Sequence, residues 1–166
     1  MKQIKVQQLD REAFAQYGTF QNLKDDADMA KHSVNKGGFF ADLIALDFAN
    51  TTLPTVSCCQ VKKGDSRVIK FVEAHKYTCE GLLPIDGDVV IYVGRLARGK
   101  FDTDLVEAFY VPQGTFVKLN PLIVHGTQYP VNDGITHILC MLPGRTFNND
   151  MLAELLPEEK WLEVID

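Results

Sequence analysis

The chain has 166 residues, 46% of them apolar, and a formal net charge of −5. This length and composition predict one domain over residues 1–166 with a buried core, and the mild acidity argues against a nucleic-acid partner. No apolar run is long enough to cross a membrane, and Met1-Lys-Gln-Ile-Lys-Val6 lacks the apolar core of a signal peptide, so a cytoplasmic protein is expected.

In chain order, Ile4-Lys-Val6 reads as a strand, followed by a helical turn over Asp10–Tyr17 with Asp10 as its N-cap and Gly18 as its stop. Phe14 and Tyr17, three apart, would pack that turn onto a sheet. Leu23 to Lys36 is polar and weakly periodic, and reads as a solvated loop carrying Asp25, Asp26 and Asp28. After Gly37-Gly38 the pattern changes to short β-branched and aromatic runs: 53–61, 68–72, 89–93, 108–111, 116–119 and 136–142. Gly-bearing turns separate them, which predicts a β-sandwich or jelly roll. The tail, 149–156 and then 158–165, reads as one or two short amphipathic helices. The four cysteines form no Cys-x-x-Cys pair and are expected to be reduced and mostly buried, with Cys79 the thiol to watch beside a site.

The chemistry concentrates in Glu73-Ala-His75-Lys-Tyr-Thr-Cys-Glu80. On a strand, Glu73 and His75 point to one face, and Glu80, past a short polar turn, would fold back beside them on the neighbouring strand. His125 ends a later apolar run, Pro121-Leu-Ile-Val-His125. Two carboxylates and two imidazoles inside an apolar barrel would hold one divalent metal (Mn, Zn or Ni) with positions open to a ligand. A metal-free reading is also open, with Glu73 orienting His75 as a general base; Glu80, a further hard oxygen ligand, favours the metal. His137 alternates with apolar neighbours and is a weaker candidate. Arg67 is the side chain best suited to clamp a substrate carboxylate.

The spacing His75-x4-Glu80-x6-Gly87 resembles the second half of the first cupin motif, with Glu73 where that motif carries its first histidine. Gly87 is expected to adopt a positive φ in a tight turn. Pro112-Gln-Gly114 is similar to part of the second motif, which His125 would complete. The resemblance then sharpens. Leu9-Asp-Arg-Glu-Ala-Phe14-Ala-Gln-Tyr17-Gly18, His32-Ser-Val-Asn35-Lys-Gly37, Glu73-Ala-His75, Pro84-Ile-Asp-Gly87, Ala108-Phe109, Val124-His125 and Asn148-Asn149-Asp150 together resemble the ureidoglycolate lyase family of purine and allantoin breakdown.

That resemblance implies an all-β cupin barrel (a double-stranded β-helix with short flanking helices), a homodimer, and a small-molecule substrate. It also implies cleavage of ureidoglycolate to glyoxylate and urea. For that reaction His75, His125 and Glu73 are the expected catalytic residues, and the loop match adds His32 and Asn35 as substrate contacts. Arg67 as a further substrate contact, and Glu73, His75, Glu80 and His125 as metal ligands, follow from the residue types and their spacing. The chain departs from the family at Asn120, where a second histidine is common, and at Val124-His125-Gly126-Thr127, which keeps a single histidine. Two other classes use the same constellation: a non-catalytic cupin that binds a small ligand, and a metal-dependent sugar isomerase.

Overall fold

A computed structural model describes residues 1–35, 37–49 and 52–166. The chain runs β1 (Lys2–Gln8), α1 (Arg11–Phe14), β2 (Gly18–Asn22), α2 (Asp26–His32), β3 (Pro54–Lys62), β4 (Val68–Ile69), β5 (Phe71–Ala74), β6 (Glu80–Pro84) and β7 (Val89–Ala97). It continues with β8 (Lys100–Val111), β9 (Thr115–Leu119), β10 (Ile123–Val124), β11 (Tyr129–Pro130), β12 (Ile135–Pro143), α3 (Thr146–Asn149), β13 (Leu152–Leu155), a 3₁₀ turn (Glu158–Lys160) and β14 (Leu162–Ile165).

Two sheets carry the fold. One has the strand order β10-β7-β8-β1-β14-β4, with β11 also on β7, and the other β2-β9-β6-β12-β3; β13 and β5 form a separate pair. Alternation along the strands divides the apolar residues between two cores. Val89, Ile91 and Val93 of β7 pack with Leu82, Val117, Leu119, Ile138 and Cys140 of the five-stranded sheet. Val90 and Tyr92, on the opposite face of β7, pack instead with Ile4, Ile69, Val72, Leu162 and Val164. The first core is the barrel interior. It is closed at one end by α1, where Phe14 and Tyr17 set their rings 5.3 and 6.0 Å from Phe109 in tilted, edge-on contacts.

The first helix is shorter than its sequence pattern. Asp10 caps it by accepting the N–H groups of Glu12 and Ala13, but the helix ends at Phe14 and Gly18 opens β2. A Cβ on Gly18 would lie 1.8 Å from the Lys118 carbonyl oxygen, so only glycine allows β2 to approach β9 this closely. The loop expected over Leu23 to Lys36 contains α2, capped by Asp25 and held to the barrel by the Arg11–Asp28 ion pair at 2.6 Å. Met29 is its only buried residue, and one apolar anchor leaves no helical period to read. Lys36 lies outside the described residues.

The tail also differs from expectation, since it forms strands where helices were predicted. β14 buries Leu162 and Val164, runs parallel to β1 and pairs antiparallel with β4, while β13 pairs antiparallel with β5. A four-residue stretch cannot display enough turns to separate helical from strand periodicity, and here the free strand edges decide. Gly87 needs no positive φ; instead a Cβ there would lie 2.8 Å from Thr136 Oγ1, so the residue is small because β12 passes against it. No described helix is long and apolar enough to cross a membrane.

Candidate metal centre

Three side chains from three separate segments converge in the barrel interior. His75 follows the last residue of β5, Glu80 opens β6, and His125 follows β10. The convergence is built by backbone. Glu73 and His125 exchange two hydrogen bonds, Glu73 N–H to His125 O at 2.8 Å and His125 N–H to Glu73 O at 2.9 Å, and Leu122 N–H donates to His75 O at 2.6 Å. Leu122 has φ 65°, a left-handed conformation unusual for a non-glycine residue, and it turns the chain into the Ile123–His125 segment.

Glu80 arrives differently from the sequence expectation. β6 lies between β9 and β12, with Glu80 opposite Leu119, and does not pair with β5. The site therefore lies between sheets, with the carboxylate from the five-stranded sheet and the imidazoles from the segments facing it.

All three are buried, His75 at 2% exposure, Glu80 at 6% and His125 at 4%. Each imidazole uses Nδ1 on a main-chain carbonyl: His75 donates to Asp150 O at 2.7 Å and His125 to Ile123 O at 2.8 Å. A carbonyl only accepts, so Nδ1 carries the proton in both rings, and each neutral ring turns a bare Nε2 lone pair inward. Those Nε2 atoms stand 3.3 Å (His75) and 2.7 Å (His125) from the same oxygen, Glu80 Oε2. None of the three atoms has a hydrogen-bond partner of acceptable geometry.

Three buried lone pairs facing one another require a positive charge, either a proton or a cation. In the protein alone the proton serves. Burial opposes ionisation of Glu80, but the charge and close approach of His125, with His75 beside it, hold the carboxyl down to about 2. Burial likewise disfavours the His125 imidazolium, yet Glu80, and Glu73 behind it, raise that ring to about 9. A divalent ion would replace the proton with two charges, and its binding would release the proton. The donor set of two imidazole nitrogens and one carboxylate oxygen lies within 4.8 Å and suits Mn, Zn or Ni. Both rings are already oriented by carbonyls, as metal-binding histidines are.

The other sequence candidates sit elsewhere. Glu73 adjoins His125 through the backbone but is not among the three residues whose ligand atoms meet; it is partly buried, and burial raises its carboxyl against the opposing charge of His125. His32 faces Asp28 at 3.6 Å on α2. Asn35 is exposed, with its backbone N–H donated to Ser33 Oγ. Arg67 is paired with Asp166 at 2.6 Å at the β4–β14 edge. His137 lies on the outer face of β12, with Nδ1 2.6 Å from Asp86 Oδ2 and Nε2 3.1 Å from Gln60.

Among the thiols, Cys79 is buried and its N–H donates to Asp47 O, whereas Cys59 and Cys140 share the interior with Glu80. Burial raises both, Cys140 to about 12, and the Glu80 charge adds to it in each case. Cys58 is exposed and all four cysteines are free. Ser57, opposite Cys140 in the β3–β12 register, is exposed.

Two sheets curled around a buried His–Glu–His centre define an all-β cupin barrel with a candidate metal site. Residues 1–162 match the model of the ureidoglycolate lyase family, and the chain belongs to that enzyme family. No curated protein matches it. Solved structures similar to it include a dTDP sugar isomerase from Desulfovibrio desulfuricans G20 at 12% identity, covering 70% of this chain and 73% of that one, TM-score 0.46. Oxalate decarboxylase of Bacillus subtilis, described with Mn(II) centres, is 15% identical over 64% of this chain and 26% of its own, TM-score 0.44. RmlC from Streptococcus suis is 10% identical, covering 55% of this chain and 44% of that one, TM-score 0.40. The match thus spans about a quarter of the oxalate decarboxylase chain.

Proposed function

We propose that this protein is a carbon–nitrogen lyase that cleaves ureidoglycolate, or a small hydroxy acid of the same kind, to glyoxylate and urea. The observation that carries this reading is the burial of His75, Glu80 and His125 around one point, in a chain matching the family over residues 1–162.

The reaction breaks the bond between the carbinol carbon and a urea nitrogen. The hydroxyl proton leaves as the carbonyl forms, and the departing nitrogen takes up a proton, so one group serves first as base and then as acid. Glu73 is well placed to be that group, since its backbone is bonded to that of His125, its carboxyl is only partly buried, and it is not consumed by the Glu80–histidine contacts. His75, Glu80 and His125 would hold a divalent ion, which when bound supplies Lewis-acid stabilisation to oxygens of the hydroxy acid. The apolar walls, among them Leu82, Leu119 and Ile138, exclude water and strengthen the electrostatics inside. Assembly as a homodimer and a place in allantoin breakdown belong to the same proposal.

Purified protein mixed with racemic ureidoglycolate tests the reading by release of glyoxylate. Release well above the spontaneous rate, lost in a folded His75→Ala variant, is expected. Tight binding without release would instead make the protein a small-ligand-binding cupin.

A further inference from the structure

His75 lies one residue beyond the end of β5. Its ring is held by Asp150, which is 75 positions away and 5% exposed. Its carbonyl accepts the His75 Nδ1–H at 2.7 Å, Oδ1 accepts the Lys76 N–H at 2.8 Å, and Oδ2 accepts the Tyr77 N–H at 2.9 Å. Three consecutive residues are thereby tied to one. The register explains the meeting: β13 pairs antiparallel with β5, with Leu152 opposite Ala74, so the ladder carried past its end sets Asp150 opposite Lys76. Asp150 is itself fixed as the C-cap of α3 by its N–H on Thr146 O at 2.8 Å. Phe147 of the same helix sets its ring edge-on to His75, with centroids 6.3 Å apart.

We propose that Asp150 is a positioning residue whose carboxylate clamps the Lys76–Tyr77 amides, so that its carbonyl holds His75 in the Nδ1–H tautomer with Nε2 aimed at Glu80. The buried carboxylate has both oxygens committed to backbone amides, and the only polar atom it leaves for the site is the carbonyl that orients the ring. Without the clamp, the turn between β5 and β6 loses two of its bonds, and the imidazole is free to rotate or to exchange tautomers. This inference rests on the reading that His75 serves the centre through Nε2, and outer partners of that kind typically change metal affinity about 10–100-fold.

The test uses the full chain with Asp150→Ala and Asp150→Asn, the latter leaving one of the two amides facing an NH₂ group. Imidazole ¹⁵N shifts of the metal-free protein report the His75 tautomer while the ring is neutral. Wild type is expected to show a single Nδ1–H form, and both variants a mixed population. Titration with Mn²⁺ or Zn²⁺ is expected to show affinity reduced by about 10–100-fold, with kcat falling more than KM changes. A variant with a lower melting temperature but the wild-type tautomer would overturn the proposal and leave Asp150 a structural cap. Should Asp150→Ala not fold, Asp150→Asn gives the same readout. A shifted tautomer with unchanged metal affinity and turnover would uphold the positioning role and remove His75 from the proposed chemistry, so the two failures are distinguishable.

Discussion

Nε2 of His125 stands 2.7 Å from Oε2 of Glu80, with both side chains buried and the other ring nitrogen of His125 committed to the Ile123 carbonyl. The pair must therefore share a proton or accept a cation. Glu80→Ala in metal-free protein would leave the His125 charge buried without its counter-ion, and the expected loss is about 3–5 kcal/mol in denaturant unfolding. Glu80→Gln keeps the shape and removes the anion; it is expected to weaken Mn²⁺ or Zn²⁺ binding by about tenfold or more in calorimetric titration. Unchanged affinity would mean that this carboxylate is no ligand.

Glu73 separates catalysis from metal holding. Its ligand atoms are not in the converging set, so Glu73→Gln should keep the metal content of wild type while kcat falls by about 10²–10⁴-fold, the usual worth of a positioned acid–base group. Elemental analysis and steady-state kinetics on one preparation decide the matter. Parallel loss of metal and activity would make Glu73 a fourth ligand, as its spacing from His75 on the strand predicts.

Gly126 follows His125 at a close approach between segments. A Cβ there would lie 1.9 Å from the Tyr92 hydroxyl, which donates at 2.7 Å to the Phe71 carbonyl. Gly126→Ala must therefore displace either Tyr92 or the His125 segment. It is expected to cost about 1–3 kcal/mol, as overpacking does, and to lower activity through His125. A variant as stable and active as wild type would show that this contact is readily relieved.

Acid stability bears on α2. The Asp28 carboxyl is held below its usual range, first by the Gln21 amide and then, against partial burial, by Arg11. A lowered folded value means that its contribution is complete above the unfolded value of about 3.9 and is lost as pH falls through the folded one. Asp28→Asn should accordingly be less stable than wild type at neutral pH, with the difference shrinking below about pH 4. A difference independent of pH would point to packing rather than charge.

The strands of the barrel were legible because short, unbroken β-branched and apolar runs such as Val89–Val93, which is buried on both faces, and Ile138–Leu142 are bounded by Gly-bearing turns. The converging trio was legible too, since His75 and Glu80 flank one short polar turn between strands and His125 ends an apolar run. Their partners were not. Asp150 reaches His75 only through the β13–β5 pairing, and that pairing falls in a tail whose four-residue strands resemble helices in sequence. Cys59 and Cys140 join the interior by strand parity and the β3–β12 register, which would have marked them had the register been known. Arg67 shows the converse: a cation suited to a carboxylate is spent on Asp166, at the far end of the chain.

The most direct test is glyoxylate release from ureidoglycolate by wild-type protein stripped with chelator and then reloaded with Mn²⁺ or Zn²⁺. Turnover is expected to fall to the spontaneous rate on stripping, to return on reloading, and not to be restored by metal in Glu80→Gln at the same concentration. Full turnover by the stripped protein would contradict a metal-dependent lyase and leave the His75–Glu80–His125 cluster as a proton-sharing site without a metal.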